Sequence, residues 1–126
     1  ARIVHVTGKA DPLFERDGDD VTIHVPITFS QAVLGDDVEV PTVDGRIVQH
    51  IPEGTQSGTK FRLRGQGIQY LNGRGRGDQY VIVDVEIPKK VTRAQREALK
   101  AFEDSMKEDN YEKRKGFFKN LRDRFS

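Results

Sequence analysis

The stretch Ile51-Pro52-Glu53-Gly54-Thr55-Gln56-Ser57-Gly58-Thr59-Lys60-Phe61-Arg62-Leu63-Arg64-Gly65-Gln66-Gly67-Ile68 decides the fold. A strand ends at Ile51, because Pro52 has no amide hydrogen to give a ladder and residues 54–58 favour turns. Residues 60–64 alternate Lys, Phe, Arg, Leu, Arg, which sets Phe61 and Leu63 on one face of a strand and three cations on the other. Gly65 and Gly67 stop this strand at positions free to take positive φ, and Ile68 resumes an apolar pattern. The glycines and the lysine do not make a phosphate cradle. Three residues lie between Gly54 and Gly58 where a P-loop needs four, and Lys60 opens a strand where a P-loop or a dinucleotide fingerprint needs a helix.

Working upstream, residues 3–6 read as a short strand that Gly8 and Asp11-Pro12 end, and residues 13–16 as a short extended piece. Asp17-Gly18-Asp19-Asp20 is a turn. Val21, Ile23 and Val25 alternate with Thr22 and His24 in a half-buried strand that Pro26 closes. Thr28 caps a short helix through Phe29, Ala32, Val33 and Leu34, stopped by Gly35. Val38, Val40 and Thr42 form a strand that Asp44-Gly45 pairs, as a hairpin, with residues 46–51.

Downstream, Tyr70-Leu71 and the loop at residues 72–77 lead into the longest strand, residues 79–87, with Val81, Val83, Val85 and Ile87 facing inward. Pro88 ends the sheet, and Thr92 with Gln95 forms a capping box for a helix whose apolar stripe is Ala94, Ala98, Leu99, Phe102 and Met106. After a polar break at Asn110, a second helix carries Phe117, Phe118, Leu121 and Phe125 on one side. The expected fold is mainly β: a two-layer β-sandwich of antiparallel strands with one short helix, followed by a C-terminal helical segment.

With 126 residues, 35% hydrophobic and 33% charged, the chain is expected to hold one domain and an appendage. It opens at Ala1 and its single methionine is Met106, which reads as a piece cut from something longer. Without cysteine there is no disulfide and no thiolate metal site, and the cytoplasm is the default compartment. Net charge is +1, but residues 1–88 carry 9 cations against 13 anions and residues 89–126 carry 12 against 7. Within the acidic body, Lys60, Arg62, Arg64, Arg74 and Arg76 follow one another with no acid between Glu53 and Asp78. That basic run needs an explanation.

No catalytic set is evident. His5, His24 and His50 sit singly in separate strands without ligand spacing, and Asp36, Asp37 and Glu39 read as solvated acids. The Asp17-Asp19-Asp20 turn lacks the ordered spacing and closing glutamate of a calcium loop. Arg76-Gly77-Asp78 spells an adhesion tripeptide but reads as a loop entering a strand. No enzyme and no metal site is expected.

The run from Pro52 to Gly67 resembles the second C-terminal domain of DnaJ-type Hsp40 co-chaperones. The resemblance extends through Pro12-Leu13-Phe14-Glu15-Arg16-Asp17-Gly18, Val25-Pro26-Ile27-Thr28-Phe29, Ala32-Val33-Leu34-Gly35 and Val40-Pro41-Thr42-Val43-Asp44-Gly45. It continues through Gly77-Asp78 and Glu86-Ile87-Pro88, loosening after Asn110. It implies residues 1–10 as the end strand and linker from a preceding domain, 11–90 as the β-sandwich and 91–126 as a dimerisation segment. Zinc would belong only to a cysteine-rich domain outside this stretch. The Hsp70-activating His-Pro-Asp loop does not occur in the sequence either, so no stimulation of an Hsp70 ATPase is expected from this chain alone.

By analogy with the related first domain, Ile23, Val25, Phe29, Val38 and Val40 are candidates to line a pocket for unfolded clients. Dimerisation falls to Phe102, Met106, Phe117, Phe118, Leu121 and Phe125, since three of the seven phenylalanines lie in the last ten residues, where a tail is normally polar. The expected function is that of a co-chaperone fragment that binds unfolded polypeptide, dimerises with itself, and serves Hsp70 through the full-length protein. The alternative is a module for single-stranded nucleic acid, with Lys60, Arg62, Arg64, Arg74 and Arg76 on phosphates and Tyr70 stacking on a base. A net charge of +1 argues against it.

Overall fold

The computed structural model describes the backbone of residues 2–6 and 9–126, and side chains from residue 12 onward. Gly8, expected to end the first strand, and the side chain of His5 lie outside the described residues. The chain divides into two compact units, Ala1–Ile87 and Pro88–Ser126.

The first unit is built of strands β1 (Arg2–Val6), β2 (Lys9–Asp17), β3 (Asp20–Ile27), β4 (Asp36–Pro41), β5 (Arg46–Ile51), β6 (Lys60–Leu63) and β7 (Gln79–Val85), with helix α1 (Phe29–Leu34) between β3 and β4. Five strands make one sheet in the order β1-β2-β3-β7-β6, and β4 with β5 makes a second. This is the mainly β, two-sheet architecture the sequence implies. One pair departs from antiparallel, however: β3 and β7 run parallel, from Val21 opposite Gln79 to Ile27 opposite Val85. Parallel neighbours need a long crossover, and everything from α1 to β6 is that crossover.

Local chemistry explains the elements. Thr28 caps α1 reciprocally with Gln31: the Gln31 amide donates to Thr28 Oγ1 at 3.1 Å, and the Thr28 amide donates to Gln31 Oε1 at 2.9 Å. Gly35 ends the helix at φ 79°. Gly18 turns β2 into β3 at φ 61°. β2 runs through Pro12, longer than the expected extended piece. The β1 register jumps from Ile3 opposite Glu15 to Val4 opposite Asp11, so Pro12 sits in the irregularity, where no ladder bond is asked of it. Likewise Pro26 does not close β3, which continues to Ile27. At the other end of the unit β7 stops at Val85, because its partner β3 is exhausted at Ile27, and Ile87 is 71% exposed rather than inward-facing.

Phe14, Val21, Ile23, Ile27, Ala32, Val40, Ile51, Val81 and Val83 form the core, with Phe61 and Leu63 packed against it from β6. The alternation read in residues 60–64 therefore holds: Lys60, Arg62 and Arg64 are exposed. Two polar residues are buried among the described ones, Thr42 and Gln79. Gln79 is fully buried, and its Nε2 donates to the Pro41 carbonyl at 2.8 Å, tying the two sheets together.

The second unit holds α2 (Arg93–Ser105), a single 3-10 turn at Glu108–Asn110 and α3 (Glu112–Phe125). Thr92 and Gln95 make the expected capping box, with bonds of 3.2 and 2.7 Å. Asn110 is where the path breaks: its Oδ1 accepts from the Lys107 amide at 2.7 Å and closes the turn between the helices. Among the described residues no helix is long and apolar enough to cross a membrane.

Candidate functional site

Three surfaces carry chemistry. The first surrounds α1. Apolar side chains at positions 29, 32, 33 and 34 span more of a helix than a six-residue element can turn inward, so only Ala32 is buried. Val33 is 39% and Leu34 70% exposed. Of the five residues expected to line a client pocket, Ile23 and Val40 are core, Val25 and Val38 are half-buried against it, and Phe29 is exposed on α1. Val33 and Leu34 are the residues of this surface that the sequence reading left out of the pocket. The helix is held from below, since the Gly54 and Thr55 amides donate to the carbonyls of Val33 and Ala32 at 3.2 and 3.0 Å.

The second surface lies in the helical unit. Phe117, Phe118, Leu121 and Phe125 are all exposed, Phe117 at 62% and Phe125 at 79%, while Phe102 and Met106 are half-buried. Phe117 and Phe118 meet edge to face at 5.1 Å, and the Arg114 guanidinium lies 4.7 Å from the Phe118 ring centre. Met106, Tyr111, Arg114, Phe118 and Arg122 border an open groove of about 710 Å³ between the end of α2 and α3. The charges flanking the strip leave it apolar along its centre.

The third surface is the basic run. Asp78 holds it together: Oδ2 accepts from Arg62 Nε at 2.8 Å and lies 2.6 Å from Nη2, and Oδ1 accepts from the Gly65 amide at 2.9 Å. These two contacts, the Gly65 bond first, hold the Asp78 carboxyl below its ordinary value, and the bond to Asp78 raises the Arg62 guanidinium. A carboxyl whose folded value is depressed stabilises the fold above its unfolded value and loses that contribution as pH falls through the folded one. Asp78→Asn is therefore expected to be less stable than wild type in urea unfolding at neutral pH, with the gap closing below about pH 4.

Arg76 donates through Nε to the Gly67 carbonyl at 3.0 Å and pairs with Asp44. The adhesion tripeptide is thus committed at both ends to the fold. Lys60 sits over the Tyr80 ring at 4.3 Å. Arg64 and Arg74 make no side-chain ion pair among the described residues.

The two histidines with described side chains are paired singly, His24 with Asp84 and His50 with Asp37, each at 2.8 Å across neighbouring strands. In the acidic turn Asp19 pairs with Arg16 at 3.5 Å and Asp20 Oδ1 accepts from the Asp78 amide at 2.7 Å. Among the described residues no group of three or more potential ligands is placed to hold a metal.

Comparison with known proteins bears on these surfaces. Residues 2–88 match the family model of the DnaJ C terminal domain, and residues 94–126 match that of the Chaperone protein DnaJ C-terminal region. The Chaperone protein DnaJ of Ruminiclostridium cellulolyticum is 51% identical over 122 residues, covering 97% of this chain and 32% of the relative. That of Acetivibrio thermocellus is 50% identical over 115 residues, 91% of this chain and 30% of the relative. That of Clostridioides difficile is 50% identical over 120 residues, 95% of this chain and 31% of the relative. The chain spans about a third of the length of these relatives.

Proposed function

We propose, because this chain belongs to the DnaJ C-terminal domain family, that it is the second client-binding domain and the dimerisation segment of a DnaJ-type Hsp40 co-chaperone. It binds and does not catalyse. In this reading residues 1–10 are the end strand and linker from a preceding domain, 11–90 hold unfolded polypeptide and 91–126 join two copies. Delivery to Hsp70 and any zinc belong to parts of the full-length protein outside these residues, and the setting is the cytoplasm. No geometry here favours nucleic acid as the partner.

The observation that carries client binding is the surplus apolar face of α1, with Val33 and Leu34 outward and Val25 and Val38 half-buried close to the core. An unfolded chain offers alternating apolar side chains and unpaired amides, and a short apolar ridge takes the former without demanding a sequence. Binding of a labelled, permanently unfolded polypeptide, followed by fluorescence anisotropy, tests this. Leu34→Asp is expected to weaken binding about tenfold, since a charge replaces most of one apolar anchor, while thermal stability shifts by no more than about 0.5 kcal/mol at so exposed a site. Unchanged affinity with an intact fold would place the client elsewhere.

A further inference from the structure

The basic strand β6 is an edge strand, and its backbone is arranged to receive another. Val83 donates its amide to the Thr59 carbonyl at 3.0 Å, and its carbonyl accepts from the Gly58 amide at 2.7 Å. Val83 therefore turns both backbone groups toward β6. By the period of two, the bonded pairs that follow are Phe61 with Val81 and Leu63 with Gln79. Lys60 and Arg62 consequently direct their amide and carbonyl groups away from β7, to the open side, and their side chains are on the exposed face. The residues that offer free ladder groups are the same ones that carry positive charge.

Of the five cations in the run, Arg62 and Arg76 are neutralised by Asp78 and Asp44. Lys60, at the start of β6, and Arg64, in the turn just past its end, form no ion pair with a carboxylate among the described residues, although the Arg64 charge contributes to holding the Asp78 carboxyl down. We propose that the β6 edge and the turn residue that follows it, Lys60 to Arg64, form a docking site for an acidic polypeptide segment in extended conformation, which adds to the five-stranded sheet as a sixth strand and brings its carboxylates to Lys60 and, past the end of the ladder, to Arg64. This site is separate from the apolar surface of α1 and does not depend on it.

The occupant follows from charge and backbone together. An edge guarded by lysine and arginine repels basic strands and discourages neutral ones, which protects against edge-to-edge aggregation. The same guard attracts an acidic strand, because opposite charges directly across a ladder stabilise pairing and like charges oppose it. A nucleic acid has no peptide backbone whose N–H and C=O groups alternate at the spacing of the exposed ladder groups. Of the neighbouring rings on which a base could stack, Tyr80 is already covered by Lys60.

The test uses the whole chain and short fluorescent peptides of alternating glutamate and threonine, of alternating lysine and threonine, and of the acidic sequence with alternate amides N-methylated. The acidic peptide is expected to bind. Its affinity should fall at least about tenfold when salt is raised from about 50 mM to about 300 mM, as screening removes the charge attraction, and by a similar factor in Arg64→Glu. N-methylation should abolish binding, because the ladder is then blocked. Should Arg64→Glu lower the melting temperature, the salt titration and the N-methylated probe on the wild-type chain decide the matter. Equal binding of acidic and basic peptides, indifference to N-methylation, or tighter binding of a single-stranded RNA of equal charge would each overturn the proposal.

Discussion

Replacing Gly77 with alanine is expected to lower the unfolding temperature of the β-sheet unit by about 15 °C, the consequence of roughly 3 kcal/mol lost from a domain of this size. The cause is crowding, not backbone strain, since Gly77 is not among the positive-φ glycines. A Cβ there would meet the carbonyl carbon and oxygen of Asp19 inside their contact limit and would lie 2.8 Å from Asp20 Oδ1. Neither neighbour can retreat. The Asp19 carbonyl accepts from the Ile68 amide at 2.8 Å, and Asp20 Oδ1 accepts from the Asp78 amide at 2.7 Å. Moving the turn would break the two bonds that align β3 with the entry to β7.

Gly67 stands in the same place from the other side, with a Cβ falling 2.5 to 2.7 Å from backbone atoms of Asp19, Gly77 and Asp78. Gly67→Ala should therefore behave like Gly77→Ala. Gly45→Ala is the control, because nothing lies within 4 Å of its Cβ and its φ is not positive, and it should leave the melting temperature unchanged. Equal melting temperatures for Gly77→Ala and wild type in circular dichroism would show that the turn yields where its hydrogen bonds say it does not.

These glycines mark the boundary of what a one-dimensional reading sees. Gly65 was expected at positive φ and takes 70°. Gly67, expected to serve the same way, is required instead because three backbone segments pass at one point. That crossing joins residues from 19 to 78, and no local pattern encodes it. The parallel pairing of β3 with β7 was hidden for the same reason, as each strand alternates alike whichever way its neighbour runs. Local signals succeeded where the physics is local: the Thr28 cap, the Thr92–Gln95 capping box, the turn at Gly18, and the split of Phe61 and Leu63 from the cations of β6.

The site was legible to a different degree. The α1 apolar residues and the C-terminal phenylalanines are conspicuous because hydrophobic side chains exceed what their elements can bury. The basic run, by contrast, looked like one uncompensated patch, since the acids that answer it, Asp44 and Asp78, lie outside the run and approach only in the fold. Two of its five charges are structural, which turns a broad phosphate-binding surface into a narrow edge. Gln79 was unreadable as a core residue, because its burial depends on the Pro41 carbonyl lying within reach on the other sheet.

Phe118→Asp is expected to convert a dimer into a folded monomer. In a single chain Phe117, Phe118, Leu121 and Phe125 keep 62%, 37%, 40% and 79% of their surface exposed, which amounts to about two whole apolar side chains on a fourteen-residue helix. A monomer leaves this area in water. A two-fold interface buries the strip of each copy against the other and counts every contact twice, for roughly 6–12 kcal/mol, against the 4–15 kcal/mol or so of freedom lost on association. With the terms so close, deleting one ring and burying a carboxylate in its place is decisive, and dimer affinity should fall by more than about a hundredfold. Phe118 is the residue to change, since it borders the groove with Met106 and Tyr111 and carries the Arg114 guanidinium on its face. Light scattering at tens of micromolar should give twice the monomer mass for the wild-type chain and the monomer mass for Phe118→Asp and Leu121→Asp, with unchanged helical circular dichroism. A wild-type chain of monomer mass at that concentration, or aspartate variants that remain dimeric, would mean that the strip is covered by something other than a second copy.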